Sequence, residues 1–223
     1  MKLVKDINKD SSNRPQVSDK EAEEAVKKIL TWIGEDPTRE GLIETPKRVV
    51  KAFKEYFSGY HQDANKALNK TFGDVDGYDD MVIEKNISFE SHCEHHMAPI
   101  IGIVHIAYIP SKKVVGLSKL ARTVEVYAKR LQTQERLTMQ IANTLMDSLN
   151  AKGVAVSIDS THHCMTMRGM RYIRMLCMRM RGMEVAEIPS PVSSEVVEVL
   201  LMTFSDLEEV RETVRGTLLK EPT

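Results

Sequence analysis

Hydrophobic positions along the chain alternate between a helical and a strand-like period, and the switches mark the elements. Ser18 and Glu21 form a capping box. After it Ala22, Val26, Ile29, Leu30 and Ile33 recur at helical spacing until Gly34 ends the run. A turn-rich link over residues 35–41 follows. Thr45 caps a second helix with Pro46 at its first position, and Val49, Phe53, Tyr56 and Phe57 form its buried stripe. The opposite face carries Arg48, Lys51 and Lys54. Residues 58–80 are polar and rich in Gly and Asp, which predicts mostly loop with a short helix. Residues 81–89 and 100–109 read as strands. Residues 110–113 make a hairpin turn, so Val114 and Val115 begin a return strand. Ser118 caps a third helix with Leu120, Val124, Tyr127, Ala128 and Leu131 inward. A fourth helix runs from Gln134 to Leu149, with Leu137, Ile141, Leu145 and Leu149 inward. Residues 154–159 alternate as a strand. Beyond Pro189 and Pro191, residues 192–204 read as a strand, and Ser205 with Glu208 opens a final helix.

Helices, strands, two long helices and strands again in segregated runs predict an α+β domain, with helices on one face of an antiparallel sheet. Residues 1–17 read as a disordered tail, 18–80 as an N-terminal helical region and 81–223 as the domain that carries the chemistry. One near-repeat stands out. Cys164-Met165-Thr166-Met167-Arg168-Gly169-Met170 returns as Cys177-Met178-Arg179-Met180-Arg181-Gly182-Met183. As one extended strand, its thirteen or so extra residues would span roughly 43 Å, so they must form an excursion or a hairpin.

Composition narrows the function classes. A net charge of -1 provides no field for nucleic acid or a membrane surface. No apolar run is long enough to span a bilayer. Met1 to Gln16 lack an apolar signal core, so a cytoplasmic location is expected. Three cysteines do not make a disulfide framework, and metal binding or catalysis is the better use for them.

Ser91-His92-Cys93-Glu94-His95-His96-Met97 brings a thiol, a carboxylate and three imidazoles within reach of one point. Cys93 and His96 have a Cys-x-x-His spacing that aims sulfur and nitrogen at one ion, and such donors favour zinc. Two ligands do not hold zinc. Further donors are offered by Thr161-His162-His163-Cys164. A full second pair would make a closed structural site. A single added residue would leave an open position, as in catalytic sites.

Four motifs occur in one order: Cys93-Glu94-His95-His96, Gly116-Leu117-Ser118-Lys119-Leu120-Ala121-Arg122, Gln132-Thr133-Gln134-Glu135-Arg136-Leu137 and His162-His163-Cys164-Met165-Thr166-Met167-Arg168-Gly169. With Thr45-Pro46-Lys47-Arg48 before them, they resemble the GTP cyclohydrolase I family over residues 20–170. The resemblance implies conversion of GTP and water to 7,8-dihydroneopterin triphosphate and formate, the first step toward folate and other pterins. It implies the tunnelling fold, an antiparallel sheet with two long helices on one face, closed into a barrel by subunit association. The implied assembly is a homodecamer of two pentamers, with active sites at subunit interfaces.

Carried over, the resemblance implies zinc held by Cys93, His96 and Cys164. His162 would protonate the purine and His95 would assist ring opening, tasks that suit an imidazole. Glu135 would select guanine by accepting from N1–H and the 2-amino group, although a first-turn acid is also favoured by the helix dipole. Gln134 would position the purine. Lys119, Arg122 and Arg168 would bind the triphosphate, with Arg48 and Lys51 from a neighbouring subunit. Ser118 would bond the sugar-phosphate end. A zinc-stabilised nucleotide-binding module and a pterin- or deazapurine-processing enzyme are the competing readings. The ligand triplet with both histidines and the Gln-Glu pair favours the GTP hydrolase.

Overall fold

A computed structural model describes residues 17–68, 71–72, 81–111, 114–170 and 174–181. Residues 1–16 of the predicted tail, the strand over 192–204 and the final helix lie outside the described residues. The chain divides into two compact units, Met1–Gln62 and Asp63–Thr223.

In the first unit, α1 (Asp19–Trp32) starts at the predicted capping box. Glu21 N–H donates to Ser18 Oγ at 3.3 Å, and Ser18 N–H donates to Glu21 Oε2 at 2.8 Å. Gly34, at φ +96°, follows the end of the helix. The second helix, α2 (Thr45–Tyr56), departs from expectation at its start: Glu44 is the cap and Thr45 lies inside the first turn. The preceding turns already run helically, since Thr45 N–H donates to Leu42 O and Glu44 itself is α-helical.

The stripe on α2 is also less buried than expected. Val50 is its buried residue, while Phe53 is 39% and Tyr56 45% exposed. Two short helices have too little mutual surface to cover both apolar faces. Ala22, Val26, Ile29, Phe53 and Phe57 therefore line an open groove of about 680 Å³. Lys54 and Asp19 join the helices at 2.5 Å. A 3₁₀ turn (Ser58–His61) closes the unit.

The second unit opens with α3 (Ala64–Ala67), capped by the Asp63 carboxylate, and β1 (Thr71–Phe72). The remaining elements are β2 (Val82–Cys93), β3 (Pro99–Ile109), β4 (Val114–Val115), α4 (Leu117–Ala128), β5 (Leu131–Gln132), α5 (Gln134–Leu149), β6 (Gly153–His162), α6 (His163–Thr166) and β7 (Arg174–Arg181). The main sheet has the order β5-β2-β3-β6-β7. Every pairing in it is antiparallel except β2 with β5, which is parallel.

Val104, Ile106 and Tyr108 of β3 stand opposite Ile158, Val156 and Val154 of β6, so all six share one face. All are buried, with Leu120 and Val124 of α4 and Leu137, Ile141 and Leu145 of α5 in the same core. Strand alternation and helical spacing meet in this layer. Gly102 sits where β3 crosses close to β6: a Cβ there would lie 2.2 Å from Asp159 O and 2.6 Å from Ser160 Cβ. The tight approach holds the two strands in register.

Two local expectations are corrected. Val114 and Val115 do not return onto β3; they pair antiparallel with Phe72 and Thr71 of β1. Val115 N–H also donates to Tyr108 Oη at 3.0 Å, which binds β4 to the core below β3. Gly116, not Ser118, caps α4, and no side chain bonds there. Gly116 has the extended backbone a cap needs, at φ -63° and ψ 137°, so the helix begins before Ser118.

The near-repeat takes two conformations. Its first copy forms α6 and a closing turn, in which Met170 N–H donates to Met165 O and Gly169 N–H to Thr166 O. Gly169 has φ +88°, as this helix ending requires. The second copy enters β7, where Cys177 pairs with Ile158 and Arg181 with Val154. The chain thus turns back on β6, in line with the expected excursion. Among the described residues no helix is long and apolar enough to cross a membrane.

Candidate active site

The site lies where β2 and β6 end on either side of β3. Register puts His92 opposite Pro99 and His162 opposite Ile100, so both strands stop at the same end of β3. Cys93 closes β2, and Cys164 lies two residues past the end of β6, in α6. With His96, they bring two sulfurs and a ring nitrogen within 4.8 Å of one another. Both cysteines are buried and His96 is exposed.

The turn that carries His96 is held by its backbone. Cys93 N–H donates to Ala98 O and Met97 N–H to Cys93 O, both at 2.8 Å. Met97 takes φ +54° to close it. Glu94 N–H donates to Gln132 O at 3.0 Å, and β5 runs parallel beside Cys93.

The expected convergence of five donors in the stretch 92–96 is not what the chain does. Strand alternation turns His92 to the face opposite Cys93. Glu94 turns to Arg136, with Nη1 2.6 Å from Oε2 and Nη2 2.9 Å from Oε1. His95 is exposed, its Nδ1 3.6 Å from Cys93 Sγ.

The donor set fits a soft or borderline divalent cation. Burial, then the neighbouring Cys93 thiol, pushes the Cys164 thiol up from its ordinary pKa. A buried thiol held in this way resists ionisation until a cation shares its charge, as Cys164 would here. The imidazole supplies a third donor, and His96 Nε2 accepts from Arg168 Nη1 at 3.2 Å.

His162 is buried behind the cluster, and its ring is fixed by α5. Gln134 Nε2 donates to Ile158 O at 2.8 Å, which fixes the amide orientation. Gln134 Oε1 then accepts from Ser160 Oγ at 2.8 Å and lies 2.9 Å from His162 Nε2. The amide oxygen can only accept, so His162 Nε2 carries the hydrogen and Nδ1 is left as the basic atom. Burial holds the His162 pKa below its ordinary value, and the Glu135 carboxylate partly opposes this. Glu135 is itself exposed in the first turn of α5, which Thr133 caps by accepting from Arg136 N–H.

The cationic residues divide. Arg168 is beside the metal cluster. Ser118 and Arg122 are exposed on α4 and line a groove of about 380 Å³ with Ile87 to Glu90 of β2. Lys119 is half-buried on the same helix. Arg48 and Lys51 are exposed on α2 in the first unit. Gln134 bonds within the protein at both ends of its amide, through Nε2 to Ile158 O and through Oε1 to Ser160 and His162. Sequence reading missed Ser160 and Arg136. Ser160 carries no motif signal, whereas Arg136 lies inside a quoted motif, with its charge partner in another.

The family model described as GTP cyclohydrolase I matches residues 22–183. The chain belongs to the GTP cyclohydrolase I family. It is 72% identical over 171 residues to GTP cyclohydrolase 1 of Pelagibacter ubique, covering 77% of this chain and 85% of that one. It is 60% identical over 155 residues to the Maricaulis maris GTP cyclohydrolase 1, covering 70% and 76%. Among solved structures, the archaeosine synthase QueF-Like in its apo form aligns at 19% identity with a TM-score of 0.41. That alignment covers 47% of this chain and 95% of that one, a likeness too slight to argue from. As a GTP cyclohydrolase I, the chain is an enzyme of pterin and folate biosynthesis. The family match continues through the first copy of the near-repeat and to the end of the second, at Met183.

Proposed function

We propose that this GTP cyclohydrolase I opens the imidazole ring of GTP at C8 with zinc held by Cys93, His96 and Cys164. Formate leaves, and the remainder rearranges to 7,8-dihydroneopterin triphosphate. The observation that carries this reading is the gathering of those three donors beside a buried, oriented His162. When bound, zinc supplies Lewis acidity, so that a nucleophile is available at neutral pH.

The chain's own residues handle protons and orientation. With Nε2–H committed to Gln134, His162 exchanges a proton at Nδ1. Its lowered pKa makes the loaded imidazole a ready donor to a weakly basic purine nitrogen. His95, exposed at the rim of the cluster, assists ring opening. Glu135 reads guanine: its carboxylate accepts from N1–H and the 2-amino group, a donor pair that adenine lacks. Arg168, Lys119 and Arg122 bind the triphosphate, and Ser118 the sugar-phosphate end.

Assembly completes the site in this reading. Along residues 82–91 the outer edge of β2 has no strand partner among the described residues, and neither has the outer edge of β7. Open edges invite pairing with another subunit. Closure of such sheets into the barrel of the tunnelling fold, as a homodecamer of two pentamers, would bring Arg48 and Lys51 of a neighbour to the triphosphate. The N-terminal helical region and the sheet domain then work as one functional unit in the cytoplasm.

The experiment that tests the reading is GTP turnover, followed by pterin fluorescence and formate release. Appearance of both supports it; GTP consumed without formate, or not consumed, rejects it. Glu135→Gln should raise KM for GTP and erode discrimination against other purine triphosphates, because an amide donor would face guanine's own donors. Unchanged affinity and selectivity would mark Glu135 as a residue that serves only the helix start.

A further inference from the structure

We propose that the Glu94–Arg136 pair is a positioning clamp that sets the metal-bearing turn against the purine-reading end of α5. This rests on the function proposed above. Glu94 lies between the ligands Cys93 and His96, yet its carboxylate is turned away from them. It meets Arg136 in a two-bond fork at 2.6 and 2.9 Å. Such forks fix orientation as well as distance. Arg136 follows Glu135 directly and Gln134 by two residues, all in the first turn of α5.

The turn needs such a hold. Backbone bonds tie it to its own strand, to Ala98 and, through Glu94 N–H, to Gln132 O. His95 and His96 project from it exposed. Among the described residues, the fork is the contact that fastens a side chain of residues 94–97 to α5. One helix end therefore holds three things in fixed relation. Gln134 orients His162, Glu135 stands exposed between Gln134 and Arg136, and Arg136 sets the turn that presents His95 and His96. The pair is partly exposed, at 24% and 28% for Arg136 and Glu94. Ion pairs of that kind contribute little to global stability. Its value is geometric, and small misplacements near reacting atoms are costly.

Lysine at position 136 would keep the charge and lose the fork. The test compares the parent with Glu94→Gln, Arg136→Lys and the double variant. Three quantities are read: the rate at which a chelator strips zinc, amide exchange at residues 94–97 in metal-free protein, and kcat and KM for GTP. Supporting partners of metal ligands contribute about 10–100-fold, and a loss of that size is expected in kcat and in zinc retention for each single variant. Amide exchange at 94–97 should rise while the thermal midpoint stays at the parent value. The double variant should be no worse than the worse single. Losses that multiply in the double, or stripping and exchange at parent rates, would overturn the clamp. A parent that holds no zinc and forms no pterin would instead reject the proposed function, and the exchange comparison would still decide the clamp.

Discussion

Cys164→Ser abolishes zinc binding or reduces it steeply, while Cys177→Ser keeps metal and activity. The near-repeat offers two cysteines in matching sequence, and the fold separates them. Cys164 follows the end of β6, with its sulfur within 4.8 Å of the Cys93 and His96 donors. Cys177 pairs with Ile158. That is four residues up β6 from His162, or about 13 Å at 3.3 Å per residue. Serine is a poor replacement, since its hydroxyl stays protonated where a metal-bound thiol does not. Metal analysis of the two variants beside the parent checks this. Zinc lost on changing Cys177 and kept on changing Cys164 would require the second copy to serve the site, against the register of β6 and β7.

The second large effect is on turnover without loss of metal. His95→Ala and His162→Ala should each retain zinc and lose activity by about 10²–10⁴-fold, the usual contribution of a general acid or base. His162 should be the more severe. Its ring is buried and held by Gln134, so no solvent molecule replaces it in a defined position. His95 is exposed, and water can partly take its place. Single-turnover pterin formation with zinc content measured on the same sample separates proton transfer from ligation. Parent-rate turnover by either variant would remove that histidine from the mechanism.

The parts of the fold that depend on local pattern were legible. Leu137, Ile141, Leu145 and Leu149 fall on one side of α5 and all are buried. The capping box at Ser18 and Glu21 forms as the residue types dictate. What escaped was non-local. Nothing in Val114-Val115 says that its partner is β1 rather than β3, because two residues carry no register information. The two copies of the near-repeat share a pattern and differ in structure, since their Met-rich sequence has no decisive preference. Position decides: the first copy comes where β6 has ended, and the second comes where β6 offers an edge. The apolar faces of Ile29 and Phe53 read as core, but one neighbouring helix cannot cover them.

The metal cluster was half visible. Cys-x-x-His spacing set Cys93 and His96 in one turn. Cys164 belongs with them because β2 and β6 end together on β3, a fact of sheet register. Glu94 shows the reverse case. The sequence put its carboxylate within reach of the same point as Cys93 and His96, and a charge 42 residues away claimed it instead.

Cys93, His96 and Cys164 are expected to hold a zinc required for chemistry on GTP. Pterin fluorescence from GTP, followed on one sample before chelation, after chelation and after zinc is returned, tests it most directly. Product, then loss, then recovery is expected, with one zinc per chain regained. Pterin formed at an undiminished rate after all metal has been removed would contradict it.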